Sequence, residues 1–520
     1  MIGKAKLGRL RLLIVQGAHD PIADWQAMLL DRLTSDPKIE LVGVLDGQKA
    51  RILPSASLLL RAILIVERWI VGRQILPYEK IGARSVLARL PRIHNTPEAP
   101  KVDLALVLGT RNLAVEQLEL ARHGEWSVSF SGAQQATHVA TSAKQRAAPG
   151  MSVQILRRTA EATEPTVVRT AQYNQKPGAV LTGAFVEEKS VLLVLRALHD
   201  LVEMRAQSVM MPPPLNAPKL PRFFEVFGYA AYFGKALAKK LREKWCARRG
   251  RLKAFWQLAT GTGDFLNFEP RFAVKLPSRS HTMADPFLFE KDGKKWVFYE
   301  ALNADGSDGW IEVAELDGDT LKSSSTALKC PYHLSFPFVF QDGDDIFMLP
   351  ETNQSRRLEV WRATNFPTAW ELHAKAFEGQ YLAESTLWRS KAGQWWLLTN
   401  LSDHHAFQDH SSELYLFTLD GPGLGSITPH PGNPVAIGAD HARNAGALIH
   451  QNGRLFRPSQ NNSYGVYGYG LNLMEITQLD AITFEETIVR RWTPHDRPGI
   501  NGIHHLSAAG DRYVFDWSGT

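Results

Sequence analysis

ADPFLFEKDGKKWVFYEA, residues 284–301, is the stretch on which the reading of the fold turns. It holds an apolar strand, an Asp-Gly turn and a second, aromatic-rich strand. The pattern returns as SFPFVFQDGDDIFMLPET from Ser335, AESTLWRSKAGQWWLLTN from Ala383, RNAGALIHQNGRLFRPSQ from Arg443 and NGIHHLSAAGDRYVFDWS from Asn501. The turn glycines, Gly293, Gly343, Gly393, Gly453 and Gly510, are separated by 50, 50, 60 and 57 residues. A hairpin recurring at this period is the signature of a β-propeller, one blade per repeat. The rival, a β-sandwich with fortuitously similar hairpins, does not explain the regular spacing. Third strands are predicted over 311–316, 358–362, 414–419 and 471–476. The fifth repeat has only two strands, so its outer strands are expected from 255–276, which contains AFWQLA and RFAVKL. Such pairing closes the ring and removes its open edges.

Working outward, the chain has 520 residues, 44% hydrophobic and 22% charged, a composition that excludes wholesale disorder. Residues 208–222 hold five prolines in fifteen positions and read as an extended linker. Before the linker, strands at Leu10–Val15, Ile39–Leu45 and 102–108 alternate with helices at 24–33, Leu58–Val71, around 115–121 and at 190–204. Alternation with continuous apolar strands predicts an α/β domain with a mostly parallel sheet. The expected organisation is an α/β domain over 1–207, a linker and basic helix over 208–253, and an all-β five-bladed propeller over 254–520.

Several function classes drop out. The two cysteines, Cys246 and Cys330, make neither a disulfide framework nor a four-thiolate zinc site. No metal site is predicted, and the Asp-Gly-Ser-Asp turn at 305–308 lacks calcium-loop spacing. The apolar run at 12–15 is too short for a signal h-region. Arg61, Glu67 and Arg68 interrupt Leu58–Val71, which reads as a buried helix rather than a membrane span. A cytoplasmic location is therefore expected, peripheral on the inner membrane if the basic helix binds there. The formal charge is +6, yet residues 222–253 alone carry ten Lys/Arg against two Asp/Glu, leaving −2 elsewhere. Nucleic-acid binding is not expected from so local a charge. Within 223–253, Phe223, Phe227, Leu241 and Trp245 share helical spacing beside many lysines and arginines. That pattern suits either an anionic membrane surface or a solvated helix between domains.

The innermost strands of a propeller line its central channel. Aligning the repeats places Asp285, Phe336, Glu384, Asn444 and His504 around it. Asp285 and Glu384 are the candidate catalytic residues, because paired carboxylates serve glycosidic chemistry as proton donor and as base or nucleophile. Glu351, Arg443, Asn444, His504, His505 and His333 are candidate substrate-binding groups. Each has a plainer reading: an Asp before Pro caps a turn, Glu351 and its repeat-equivalent Glu300 serve as structural ladder residues, and His333 packs or lies on the surface.

The ADPFLFEKDG…FYE unit resembles the propellers of glycoside hydrolase family 43. HLSFPFVFQDGDDIFMLPET, followed by VWRATNFPTAW, is similar to the propeller module beside plant glucosamine inositolphosphorylceramide transferase domains, whose bacterial relatives sit in surface-polysaccharide proteins. The hydrolase resemblance implies a general base at Asp285 and, as the best-positioned acid, Glu384; Ser335-Phe336 stands where that family has a second Asp. Residues 10–207 resemble the formyltransferase fold through VDLALVLGTRNLAVEQLELARHGEWSVSFSG. There Ser127 and Ser129 occupy the places of the family's Asn and His, and a serine pair does not replace an imidazole acid–base. The expected function is a carbohydrate-active enzyme of surface-polysaccharide or glycoconjugate biosynthesis that transfers or cleaves a glycosyl unit, with a glycan or sugar nucleotide as partner. The alternatives are a non-catalytic glycan-binding scaffold and a folate-dependent sugar formyltransferase. No cofactor is expected beyond a sugar nucleotide donor, and the serine pair argues against folate.

Overall fold

The structure, a computed structural model, describes residues 8–17, 20–49, 57–93, 100–205, 211–216, 219, 221–249, 256–277, 282–303, 308–402, 404–496 and 498–519. Part of the proline-rich stretch and most of the 305–308 turn lie outside them. Two compact units divide the chain: residues 1–237 with 404–407, and residues 238–403 with 408–520. Among the described residues, no helix is long and apolar enough to cross a membrane.

The first unit is built on a seven-stranded sheet. Its spatial order is Arg92–Ile93, Ile39–Leu45, Leu10–Val15, Leu104–Val107, Glu125–Phe130, Met151–Arg158 and Thr166–Tyr173. The first five strands are parallel, and Met151–Arg158 pairs antiparallel with both of its neighbours. Leu12, Leu13, Ile14 and Val15 are all buried, as a strand covered on both faces requires. Three local expectations are corrected. Residues 115–120 form a 3-10 turn, with Gln117 accepting the Ala114 N–H, rather than an α-helix. The last helix begins at Ala179, eleven residues before the expected start, because 179–186 are as apolar as 190–202 and all of Ala179, Val180, Leu181, Phe185 and Val186 are buried. Leu58–Val71 is a helix, capped by Ser57 on the Leu60 N–H, but it is not a buried one. Only Leu60, Glu67 and Val71 are buried, while Leu58, Ile65, Val66 and Trp69 are exposed.

The second unit is a five-bladed propeller. Blade one uses Thr282–Lys291, Lys294–Leu302 and Gly309–Asp317; blade two uses Ser335–Asp342, Asp345–Glu351, Leu358–Asn365 and Ala369–Ala376. Blade three runs from Leu382–Arg389 through Trp395–Leu401 and Glu413–Leu419 to Ile427–Pro429. Blade four runs from Ile449–Gln451 through Arg454–Asn461 and Gly470–Leu479 to Phe484–Trp492. In blades one and four the first hairpin turns on Asp292-Gly293 and Asn452-Gly453, with both residues of each pair left-handed. That is the two-residue turn whose twist matches the flanking strands.

Blade five is composite. Its Leu506–Ala509 and Arg512–Gly519 strands come from the end of the chain, and Trp256–Thr262 adds antiparallel to Arg512–Gly519, pairing Trp256 with Ser518 and Thr262 with Arg512. Val274–Lys275 then pairs with Trp256–Thr262. The two ends of the propeller thus close one sheet, and 256–275 supplies its outer strands. Phe268, between those two strands, is buried against Trp492 of blade four and against Tyr513 and Phe515 of blade five, with ring centroids 4.8–5.0 Å apart. Its carbonyl also accepts the Trp492 indole N–H at 3.0 Å. Phe268→Ala is expected to cost about 3–5 kcal/mol of stability. Phe272→Ala, at a site 74% exposed, is expected to cost under about 0.5 kcal/mol. Denaturant unfolding followed by tryptophan fluorescence checks both.

Candidate active site

The site forms where the innermost strands break register. Asp285, Phe336 and Glu384 have φ of 49°, 47° and 50°. Each follows the last regular pair of its strand, Ala284 with Glu300, Ser335 with Glu351 and Ala383 with Asn400, and the ladder then skips to Phe287, Phe338 and Thr386. A left-handed residue other than glycine costs on the order of 1–3 kcal/mol and persists only when its surroundings hold it. Here the neighbouring blade holds it. Asp516 of blade five accepts the Asp285 N–H at 3.0 Å, and Asp285 accepts the Phe336 N–H at 3.3 Å. Glu351 of blade two accepts the Glu384 N–H at 3.1 Å, and Asn400 of blade three accepts the Asn444 N–H at 2.9 Å. Polar side chains thereby stitch blade five to one, one to two, two to three and three to four.

This stitching gathers acids. Asp285 is 4% exposed and Glu384 1% exposed. Burial, followed by the charges of Glu384, Glu300, Asp516 and Glu351, pushes the Asp285 carboxyl well above the usual range. Burial also raises Glu384, against the opposing pull of Arg443. Arg443 clamps one Glu384 oxygen through Nε at 2.9 Å and Nη2 at 2.6 Å, and Gln460 Nε2 adds a third donor to the same oxygen at 3.1 Å. The other oxygen, Oε2, and Asp285 Oδ1 have no hydrogen-bond partner among the described residues. Burial and then Glu384 push Glu351 up to about 7.

His504 and His505 bring the fifth blade into the cluster. His504 Nδ1 lies 2.7 Å from Asp516, and its Nε2 lies 3.4 Å from Asp285 Oδ1. The ring stacks on Trp256, centroids 4.0 Å apart at 25°. His505 Nδ1 is 3.6 Å from Asp285 Oδ1, and burial drives its pKa down to about 3, so it is neutral. Asp516 departs in the opposite direction from Asp285. Burial would raise its pKa, but His504 and the hydrogen bonds it accepts outweigh that and lower it. Asn444 is fully buried and structural, its Nδ2 donating to the Glu384 carbonyl at 2.8 Å while Oδ1 accepts from Arg457 at 3.2 Å. His333 pairs with Glu300 at 3.0 Å, and this bond outweighs burial to raise its pKa. Tyr467 sits over the cluster. It is 44% exposed, accepts from Arg443 at 3.3 Å and meets His504 edge to face at 5.3 Å.

Of the residues expected from sequence, Asp285, Glu384, Glu351, Arg443, Asn444, His504 and His505 belong to one linked network, and His333 joins it through Glu300. Ser127 and Ser129 lie in the first unit on the Glu125–Phe130 strand, Ser129 buried with no hydrogen-bond partner for Oγ among the described residues. Asp516, Asn400 and Gln460 were missed. Their signal is in the repeats: the second strand of each hairpin carries a polar residue at the equivalent place, as at the end of FYE, LPE, LTN, PSQ and VFD. Asp285, His504 and Asp516 also place three potential metal-ligand atoms within 4.8 Å of one another. Asp516 already accepts four hydrogen bonds there, from the backbone N–H groups of Asp285, His504 and His505 and from the His504 ring.

The Glu351 shift has a sign that can be read in stability. Its folded pKa of about 7 exceeds the ordinary 4.5, so the folded protein holds this proton longer than the unfolded chain does. The contribution to stability is greatest below the unfolded value and falls as pH rises to about 7. Glu351→Gln should flatten that fall, gaining on the parent protein between pH 5 and 8 in denaturant titrations. An equal pH slope in both proteins would contradict it.

Residues 272–507 match the family described as "Glucosamine inositolphosphorylceramide transferase 1, N-terminal". The chain is 33% identical over 241 residues to glucosamine inositolphosphorylceramide transferase 1 of Oryza sativa subsp. japonica, covering 44% of this chain and 31% of that protein. It is 33% identical over 227 residues to the Arabidopsis thaliana protein of the same name, covering 43% and 29%. Among solved structures, a GH62 α-L-arabinofuranosidase catalytic domain from Coprinopsis cinerea aligns at 11% identity and TM-score 0.35, over 52% of this chain and 98% of that one. A GH43 β-xylosidase/α-arabinofuranosidase from a compost microbial metagenome aligns at 14% identity and TM-score 0.33, over 45% and 84%. The chain thus spans about a third of the length of the curated relatives it matches, and the similarity falls within the propeller.

Proposed function

We propose that the protein is carbohydrate-active and that the propeller channel binds a sugar and transfers or cleaves a glycosyl unit in surface-polysaccharide or glycoconjugate biosynthesis. The observation that carries this reading is the pair of buried carboxylates, Asp285 and Glu384, each with one oxygen free of hydrogen bonds beneath an exposed tyrosine. Free carboxylate oxygens accept sugar hydroxyls, and an exposed aromatic ring offers a stacking face for a pyranose. The propeller's likeness to plant proteins named as glucosamine inositolphosphorylceramide transferases supports a glycosyl substrate.

The electrostatics suit roles different from those implied by the hydrolase resemblance. Asp285, raised by burial and by four acidic neighbours, is the better proton donor. Glu384 is raised by burial too, but its ion pair with Arg443 pulls it back toward the charged form, which suits it to the base role. In the proposed reaction the Asp285 proton passes to the leaving oxygen as the glycosidic bond breaks. Glu384 Oε2 accepts the proton of the attacking hydroxyl or water as the new bond forms. His504, held by Asp516, lies beside Asp285 to return its proton for the next cycle.

Burial of both acids to 4% and 1% exposure favours a second reading, a glycan-binding module that performs no chemistry. The two separate cleanly. Turnover on a panel of sugar nucleotides and oligosaccharides should fall about 10²–10⁴-fold in Asp285→Asn and in Glu384→Gln. A proton-donor role for Asp285 places the loss of wild-type activity on the alkaline limb of the pH profile; a base role places it on the acidic limb. Undiminished turnover in both variants removes the channel from the chemistry. Absent wild-type turnover, with calorimetric glycan binding that Tyr467→Ala abolishes, establishes the binding module instead.

A further inference from the structure

The exposed face of Leu58–Val71 has no counterpart in the channel. On this helix Leu58, Ile65 and Trp69 are 83%, 69% and 85% exposed, and Val66 is 57% exposed. These positions, with Ala62 between them, fall on one side at helical spacing. The opposite side carries the buried Leu60, Glu67 and Val71. Glu67, the one acid of the helix, is turned inward, where it accepts the Tyr229 hydroxyl and the Val180 N–H, and burial raises its pKa. The outward side therefore presents apolar groups flanked by Arg61, Arg68 and Arg73 and no carboxylate.

Tyr229 belongs to Phe223–Arg248, so that helix packs directly on Leu58–Val71. It repeats the design. Val226, Tyr229 and Phe233 are buried, whereas Phe223, Phe224 and Phe227 are 58%, 83% and 52% exposed. Leu241 and Trp245 continue the exposed stripe, and Lys235, Lys239, Lys240, Arg242, Lys244 and Arg249 are exposed in its second half. Two exposed acids stand against them, Glu225 in the first turn and Glu243, 3.9 Å from Lys239.

We propose that these two adjacent helices form a surface that seats on an anionic lipid leaflet, lying in the interface rather than crossing it. Exposed Trp and Phe rings flanked by Arg and Lys match such a leaflet in both respects. The rings enter the headgroup–acyl boundary, and the cations meet lipid phosphates. A second copy of this chain would bring the same unbalanced positive charge against itself, which disfavours self-pairing.

The test is flotation of the full-length protein with phosphatidylcholine vesicles, with and without phosphatidylglycerol. Wild type should float with the phosphatidylglycerol vesicles and be released by high salt. Trp69→Glu combined with Phe224→Glu should lower the bound fraction about tenfold or more. Lys239→Glu combined with Lys240→Glu should weaken it on the same vesicles. Unchanged circular dichroism and thermal midpoint establish that these exposed substitutions leave the fold intact. The proposal fails if wild type ignores anionic vesicles, or if the aromatic variant floats as well as wild type. It also fails if ultracentrifugation shows a dimer that Trp69→Glu disperses while no form binds vesicles.

Discussion

A side chain from one blade holding the backbone N–H of the next is the constraint on which the propeller depends. Asp516, Glu351 and Asn400 each do this, and two of the backbone groups they hold belong to left-handed residues, Asp285 and Glu384. The conformation is unfavourable for a residue with a Cβ, and it aims that residue off the sheet and into the channel. Structure and chemistry are inseparable here. In two of these contacts, Asp516 to Asp285 and Glu351 to Glu384, a carboxylate fastens a residue that is itself a carboxylate.

Crowding buried acids has an electrostatic cost that the protein distributes unevenly. Asp516 keeps its charge because His504 and three backbone N–H groups surround it. Glu384 is paired with Arg443. Asp285 accepts the Phe336 N–H and otherwise has a long approach to two histidines, one of them driven neutral, and burial with its acidic neighbours pushes its carboxyl well above the usual range. Neighbouring carboxylates are thus pushed in opposite directions, Asp285 up by burial and acidic neighbours and Asp516 down by His504 and the hydrogen bonds it accepts, and such divergence is the usual route by which one site obtains both a proton donor and an anion.

Much of this was legible in the sequence. The repeat spacing identified five hairpins, and aligning their first strands brought out Asp285, Phe336 and Glu384, the three residues that share the left-handed break. The closing segment was legible because the fifth repeat lacked outer strands. Asp516 was not, since a single acid inside RYVFDWS looks like an interruption until its hydrogen-bond partners are seen. Leu58–Val71 misleads for a related reason. Hydropathy reports how apolar a helix is, but the covering of its apolar side is a tertiary fact. The α/β character of the first unit followed from its continuous apolar strands, whereas its antiparallel edge, Met151–Arg158 with Thr166–Tyr173, carries a mixture of arginines and apolar residues that alternation alone did not flag.

The composite fifth blade also governs how the propeller comes into being. Residue 256 pairs with residue 518, so the first propeller strand made on the ribosome must wait for the last before its ladder forms. Blades one to four are hairpin assemblies that gain their contacts locally, but the ring is annular only once this long-range pair is made. Until then the Trp256–Thr262 strand is an open edge beside a hydrophobic cluster that includes Phe268, the condition under which nascent chains associate wrongly. Closure is therefore the pairing of longest sequence separation in the propeller, and until it forms that edge stays open.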